Sequence, residues 1–133
     1  MFEVIAVATD GSDTARQAVD AAFDLAGRFG AEVVILTAFA DDAGAEGGWT
    51  SNSATQAEWL LAEAEEEAES RGLRCSSAMS GGAPGEVLVE LAERCRADVL
   101  VVGNKGMQRK LLGSVPNTIT HRAPCDVFVV KTV

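Results

Sequence analysis

Val4-Ile5-Ala6-Val7-Ala8 is a short apolar run rich in β-branched residues, and the polar turn Thr9-Asp10-Gly11-Ser12 follows it directly. An uninterrupted apolar run of this length is typical of a strand buried on both faces. The next apolar residues recur three or four positions apart, which predicts a helix that stops near Gly30. The apolar stripe of that helix consists of Ala15, Ala18, Val19, Ala22, Leu25 and Phe29. The segment therefore predicts one strand followed by one helix.

The same alternation continues along the chain. Four further apolar runs predict strands, at Val33 to Phe39, weakly near Arg74 to Met79, at Val99 to Val102 and at Val127 to Val130. Residues with helical period separate them, between Ala57 and Ala68, between Leu88 and Cys95, and from Ser114 through Ile119. Strands alternating with helices indicate a doubly wound α/β fold, in which helices cover both faces of a five-stranded parallel sheet.

Composition limits the classes of protein to consider. The chain has 133 residues, which predicts a single domain spanning 1–133. Its 47% of hydrophobic and 23% of charged residues are typical of a globular protein. A formal charge of −9 makes nucleic acid and anionic membranes poor general partners.

The targeting and cysteine patterns predict a cytoplasmic protein. The apolar runs are far shorter than the roughly 20 residues of a membrane span, and no signal-peptide pattern is visible at the start. Cys75, Cys95 and Cys125 are odd in number and widely spaced, which fits neither a disulfide framework nor a metal site. We interpret all three as small buried or half-buried hydrophobic residues.

A glycine-rich stretch follows the fourth predicted strand. Gly103 and Gly106 would let the backbone approach a bound group closely, and Gly113-Ser114 opens a helix whose N–H groups attract anions. These residues predict a phosphate site. The glycines alone are explained equally well by a simple turn, with Ser114 as an ordinary N-cap.

Charge placement favours the phosphate site. From Gly103 onward the sequence holds five cations and one acid, although the chain as a whole is acidic. Lys105, Arg109 and Lys110 lie within the glycine-rich stretch itself, where they would raise the local concentration of anions. A small phosphorylated ligand fits this arrangement better than a polymer.

Asp10 is a second candidate, because it stands at the carboxyl end of the first predicted strand. A carboxylate there can accept hydrogen bonds from ribose hydroxyls or face a metal ion. Ser12 or Asp13 is better explained as the N-cap of the following helix. His121 is the only histidine, so the sequence lacks the side chains for a metal site or a histidine-based catalytic triad. We predict no catalytic or metal-binding residues.

These residues together resemble the universal stress proteins of the UspA type. The resemblance spans the chain: Thr9-Asp10-Gly11-Ser12, Gly82-Ala83-Pro84, Ala97-Asp98, Gly103 through Val115, and Ala123-Pro124-Cys125-Asp126. It implies the strand order 3-2-1-4-5, a homodimer formed partly through the last strand, and a bound adenine nucleotide: ATP, ADP, AMP or cyclic AMP, with Mg²⁺ alongside ATP. It also implies that Asp10 lies near the ribose and that Ala38 offers its backbone to adenine. The predicted contact residues are Ala8, Thr9, Asp10, Ala38, Val102, Gly103, Lys105, Gly106, Arg109, Gly113, Ser114 and Val115.

One departure from the family pattern concerns the loop length. Six residues separate Gly106 from Gly113, where the family signature has nine. At about 3.3 Å per extended residue, three fewer residues remove up to about 10 Å of reach. We therefore expect a ligand with fewer phosphates, such as AMP or a cyclic nucleotide, or weak binding of ATP.

We therefore predict that the protein is a nucleotide-binding regulatory or sensor module in the stress response, without a dedicated catalytic site. Two alternatives stay open. The shortened loop could have abolished nucleotide binding and left a dimeric interaction module, or the protein could hydrolyse ATP slowly. The hydrolase is supported least, because no general base is apparent.

Overall fold

The computed structural model describes residues 2–40, 52–104 and 114–132. Within these residues strands and helices alternate along the chain, as β1 Val4–Ala8, α1 Asp13–Phe29, β2 Glu32–Phe39, α2 Ala54–Ser70, β3 Cys75–Gly81, α3 Pro84–Arg94, β4 Val99–Gly103, α4 Ser114–Arg122 and β5 Asp126–Val130. The stretch from Ala40 to Thr55 is rich in Gly, Asp, Ser and Thr, which predicts a loop, and most of it falls on 41–51, outside these ranges.

The strands form one parallel sheet in the order β3-β2-β1-β4-β5, which confirms the predicted fold class and strand order. β1 lies at the centre, with Ile5 paired with Val33 of β2 on one side and with Val99 of β4 on the other. α1 and α2 pack on one face of the sheet, and α3 and α4 pack on the opposite face. Each face has its own apolar core, which explains why the central strands are apolar throughout.

Local signals set the limits of α1. Ser12 is the N-cap, and its hydroxyl accepts a hydrogen bond from the N–H of Ala15, while Asp13 is the first helical residue. Gly30 ends the helix with a φ of 66°, a left-handed conformation that glycine adopts without strain. Phe29 differs from the prediction. Although it completes the apolar stripe, its side chain is 49% exposed and contacts the ring of Phe2 edge-on.

The weakest predicted strand is the edge strand β3. It begins and ends slightly later than predicted, at Cys75 and Gly81, and its side chains are mostly half-buried. The three cysteines are free and half-buried, so they behave as the sequence suggested. Burial and the nearby carboxylates of Glu65 and Glu69 raise the pKa of the Cys75 thiol to about 11.

Asp98 fastens the amino end of the sheet. Its Oδ2 atom accepts hydrogen bonds from the backbone N–H groups of Glu3 and Val4, at 2.8 and 2.9 Å. These two donors hold the pKa of the Asp98 carboxyl below its ordinary value. The Ala97-Asp98 pair noted in the sequence therefore has a structural role, at the end of the sheet opposite the candidate site.

Candidate functional site

The winding of the sheet reverses between β1 and β4. β1 leads into α1 on one face of the sheet, whereas β4 is followed in the chain by α4 on the opposite face. The backbone therefore diverges at the carboxyl ends of these two neighbouring strands and opens a crevice between them. Thr9 and Asp10 follow β1, while Asn104 follows Gly103 at the end of β4.

The Asp10 carboxylate is held in a fixed position. Its side chain is buried, and its Oδ1 atom accepts hydrogen bonds from the N–H and the hydroxyl of Ser12, at 3.0 and 2.6 Å. The turn needs glycine next, because Gly11 has a φ of +82° and a Cβ there would lie 3.2 Å from Leu60. Asp10 is thus a fixed hydrogen-bond acceptor, as a contact with ribose hydroxyls would require.

Two polar residues that the sequence did not reveal hold the Thr9-Asp10 backbone. The buried Thr37 hydroxyl donates a hydrogen bond of 2.6 Å to the carbonyl oxygen of Thr9. The Asn52 side-chain amide donates one of 3.0 Å to the carbonyl oxygen of Asp10. The only sequence signal for Thr37 is a hydroxyl within an otherwise apolar strand, where it must find an internal acceptor. Asn52 gives no such signal.

The end of β4 is fixed by the C-terminal segment. The buried Asn104 side chain accepts two hydrogen bonds from Thr132 through its Oδ1 atom, one from the backbone N–H and one from the hydroxyl, both 2.8 Å long. The Asn104 N–H donates to the carbonyl oxygen of Val130. A Cβ on Gly103 would meet the Thr132 methyl at 3.4 Å and the Ala18 methyl at 3.9 Å. Both distances are ordinary van der Waals contacts, so packing does not require a glycine at Gly103, and its predicted ligand contact stays a prediction.

Several predicted contact residues converge on one face of the sheet. Ala8, Ala38, Val102 and Val115 are all buried in the apolar core beneath α3 and α4. α4 begins at Ser114, which is exposed, and the positive end of the helix dipole lies there. Lys105, Gly106, Arg109 and Gly113 lie outside the described residues, and their predicted contacts stay predictions.

A small cavity of about 40 Å³ lies between α1 and α2, beside the turn that follows β1. Its lining includes Thr9, Arg16 and Leu60, together with the carboxylates of Glu63 and Glu67. Such a lining disfavours an anion, and the volume suits little more than one water molecule. The crevice between β1 and β4 is therefore the better candidate for a phosphorylated ligand.

Other site types find little support in the described part of the chain. Residues 2–40, 52–104 and 114–132 contain no group of three His, Cys, Asp or Glu side chains that could hold a metal ion. The exposed His121 ring contacts the Asn117 carbonyl one turn earlier in α4, as expected for a surface helix residue. None of the described helices is long and apolar enough to cross a membrane.

A doubly wound parallel sheet with a crevice of this kind at its switch point defines a class of α/β proteins that bind ligands beyond the carboxyl ends of their strands. A model of the universal stress protein family matches residues 1–131. The chain belongs to the universal stress protein family.

Individual relatives resemble the chain over nearly its whole length. Universal stress protein Rv1636 of Mycobacterium tuberculosis is 35% identical over a gapped alignment of 143 positions, which covers 98% of this chain and 97% of that protein. Universal stress protein MJ0531 of Methanocaldococcus jannaschii is 33% identical over a gapped alignment of 141 positions, which covers 98% of this chain and 83% of that protein. A crystal structure of a universal stress protein in complex with cAMP is 34% identical, has a TM-score of 0.80 and covers 99% of both chains.

Proposed function

We propose that this protein binds an adenine nucleotide in the crevice between β1 and β4 and acts as a nucleotide-dependent regulatory module in the stress response. The observation that carries the proposal is the convergence of the fixed Asp10 carboxylate, the end of β4 and the amino end of α4 at the winding switch point. The cAMP complex of a relative that is 34% identical supports an adenine nucleotide as the ligand.

The proposed site has two chemically different halves. Asp10 and the backbone of Ala38 lie at the ends of β1 and β2, and they would hold the ribose and the adenine. Ser114 and Val115 at the start of α4 would donate N–H groups to phosphate, helped by Lys105 and Arg109 in the intervening sequence. With ATP, Mg²⁺ would accompany the phosphates.

Binding is tested by thermal unfolding and calorimetric titration with ATP, ADP, AMP and cyclic AMP. A ligand at 100 times its dissociation constant adds about 2.7 kcal/mol to the free energy of unfolding, which is easily detected. Mass spectrometry of the supernatant after denaturing the purified protein would also reveal any nucleotide that co-purifies. The proposal would be contradicted if none of the four ligands shifted the unfolding transition and no nucleotide co-purified with the protein.

Substitutions at and near Asp10 test where the nucleotide binds. Asp10→Asn keeps an oxygen that can accept from Ser12 but removes the negative charge, so we expect the affinity to fall about tenfold. Asp13→Ala is the matched control, because Asp13 is an exposed residue of the first turn of α1 and makes no proposed ligand contact. Equal affinities for the wild type and Asp10→Asn would place the nucleotide elsewhere.

A dimeric interaction module is the second candidate function, and the edge strand β5 favours it. β5 pairs only with β4 among the described strands, and its Phe128 side chain is 46% exposed. An apolar edge strand of this kind is a natural surface for a second copy of the chain. Dimerisation is compatible with nucleotide binding, so the ligand titration decides whether it is the main function or an accompanying property.

A further inference from the structure

Asn52 lies immediately before the N-cap of α2 and connects the ends of two strands. Its side-chain amide donates a hydrogen bond of 3.0 Å to the carbonyl oxygen of Asp10, which lies just beyond β1. Its own carbonyl oxygen accepts a hydrogen bond of 2.6 Å from the N–H of Ala40, which directly follows β2. Asn52 therefore bridges the carboxyl ends of β1 and β2, where the proposed site would hold the ribose and the adenine.

The start of α2 holds Asn52 in place. The next residue, Ser53, is the N-cap, and its hydroxyl accepts a hydrogen bond of 3.1 Å from the N–H of Gln56. The Gln56 side chain accepts one of 2.8 Å from the Ser53 N–H in return, and such a capping box stabilises the first turn of a helix. α2 reaches the same turn a second time through Leu60, which would lie 3.2 Å from a Cβ on Gly11. Two consecutive residues after β1 are thus in contact with α2 or the residue before its cap.

The direction of the Asp10 carboxylate depends on this backbone. Its Oδ1 atom accepts hydrogen bonds from the N–H and the hydroxyl of Ser12, so the carboxylate and the turn move together. Gly11, between them, has a φ of +82° and is the residue most able to change its backbone conformation. The Asp10 carbonyl belongs to the peptide bond that joins Asp10 to Gly11. A hydrogen bond to that carbonyl restricts the rotation that would turn the carboxylate away from a ribose.

We infer that Asn52 is a positioning residue for ribose recognition, acting through the hydrogen bond that it donates to the Asp10 carbonyl. The inference rests on the proposed nucleotide binding and uses only the part of the site at the ends of β1 and β2. In this role Asn52 acts on Asp10 and not on the nucleotide. Its loss should therefore weaken the contribution of the ribose hydroxyls to affinity and leave the rest of the nucleotide bound as before.

Two ligands separate this role from general support of the fold. AMP carries both ribose hydroxyls, whereas 2′,3′-dideoxy-AMP lacks them and is otherwise the same nucleotide. Because a hydrogen bond to a charged carboxylate is worth about one order of magnitude in affinity, we expect wild-type protein to bind AMP roughly tenfold more tightly. An unfolded fraction of the protein lowers the apparent affinity for both ligands equally, so it leaves the ratio of the two dissociation constants unchanged.

The informative variant is Asn52→Leu, which removes the amide donor at nearly constant size and keeps the backbone carbonyl that accepts from Ala40. We expect the Kd of AMP to rise roughly threefold to tenfold and the Kd of the dideoxy nucleotide to stay within about twofold. Gln17→Leu is the matched control, because it replaces an exposed amide of α1, and it should preserve the ratio. If Asn52→Leu fails to fold, Asn52→Ser gives the same test, because its hydroxyl is one bond shorter than the amide.

A double-mutant cycle with Asp10→Asn tests whether the effect passes through Asp10. If it does, adding Asn52→Leu to the Asp10→Asn protein should change the Kd of AMP by less than about twofold. Losses of affinity that multiply in the double variant would show that Asn52 acts independently of the Asp10 carboxylate, and they would contradict the inference.

The outcomes separate this inference from the proposed function. If wild-type protein binds no adenylate, the proposed function fails and the inference falls with it. If wild-type protein binds AMP and dideoxy-AMP equally, nucleotide binding stands, but the ribose contact of Asp10 and the role of Asn52 are both overturned. If wild-type protein prefers AMP and Asn52→Leu keeps that preference, or loses both ligands in equal proportion, the positioning role of Asn52 alone is overturned.

Discussion

The hydroxyl of Thr37 donates a hydrogen bond to the carbonyl oxygen of Thr9, so β2 holds the turn that carries Asp10 from inside the sheet. The donor and the acceptor are 2.6 Å apart, and both residues are buried. A buried carbonyl without a partner is costly, so this bond contributes both to the stability of the fold and to the geometry of the crevice.

Thr37→Val removes that donor while nearly preserving the shape of the side chain. We expect the free energy of unfolding to fall by about 1–2 kcal/mol, because the Thr9 carbonyl loses a buried hydrogen bond. Urea denaturation followed by circular dichroism measures the change. Thr55→Val, an exposed position in α2, is the control and should change stability by less than about 0.5 kcal/mol. If the two substitutions lowered the free energy of unfolding equally, the Thr37 hydrogen bond would make no special contribution to stability.

Asp98→Ala should destabilise the protein in a pH-dependent manner. Two backbone N–H groups lower the pKa of this carboxyl in the folded state, so its contribution to stability is present above its ordinary pKa of 3.8. That contribution is lost as the pH falls through the lower pKa of the folded state. The difference in melting temperature between wild type and variant should therefore be largest near neutral pH and shrink below about pH 4.

The control for Asp98 is Glu66→Ala, which removes an exposed carboxylate of α2 that no described residue pairs with. It should leave the melting temperature nearly unchanged at every pH. An Asp98→Ala deficit that stays constant from pH 7 down to pH 2 would show that the carboxylate charge plays no part.

Arg96→Gly should stabilise the protein. Arg96 has a φ of 54°, a left-handed conformation that follows the end of α3 and that glycine adopts without strain. After allowing for the greater freedom of glycine in the unfolded chain, we expect a gain of about 0.5–1 kcal/mol. Arg94→Gly, which places the same residue within α3, should instead cost about 1 kcal/mol. Chemical denaturation of both variants gives the comparison.

The short spacing between Gly106 and Gly113 predicts selectivity among nucleotides. AMP or cyclic AMP should bind more tightly than ATP, because six intervening residues give the chain less reach around a triphosphate than nine would. Calorimetric titration of the three ligands under one set of salt conditions measures the order. Inserting three glycines after Gln108 should shift the preference toward ATP. Affinity for ATP that equals or exceeds that for AMP in the unaltered protein would refute this prediction.

Phe128→Lys tests the proposed dimer. A charge in the middle of the exposed face of β5 should prevent a second copy from packing there, while leaving the monomer folded because Phe128 is 46% exposed. Light scattering at high micromolar concentration should show a dimer for the wild type and a monomer for the variant. A wild-type protein that is already monomeric under these conditions would remove the basis for the dimer.

The sequence predicted the fold well because its strongest signals are local. The apolar run at Val4–Ala8 and the glycine stop at Gly30 each depend on neighbouring residues alone. β3 was harder to delimit, because an edge strand that is only half-buried tolerates the small polar residues of Cys75–Gly81 and shows little period. The helical pattern wrongly placed Phe29 in the apolar stripe of α1. Phe29 lies in the last turn of the helix, where Phe2 partly covers its exposed ring.

The candidate site was predictable only in part, for a related reason. Asp10 and Gly103 stand at strand ends, where the position in the chain already indicates a ligand. The residues that hold them, Thr37 and Thr132, act on partners 28 positions away, and no local pattern reveals such a pairing. Hydrogen bonds between distant segments become visible only after the strand register is known.

The central place of β1 also affects how the chain is made. β1 can pair with β2 as soon as the first half of the protein has been synthesised, but its other edge is paired only after β4 has been made. The hydrogen bond between Val4 and Asp98 spans 94 positions. A ribosome-bound chain that has completed β1, β2 and β3 therefore displays a bare inner strand edge until β4 emerges. That interval, rather than the finished fold, is when this protein is most vulnerable to aggregation and has the greatest need of a chaperone.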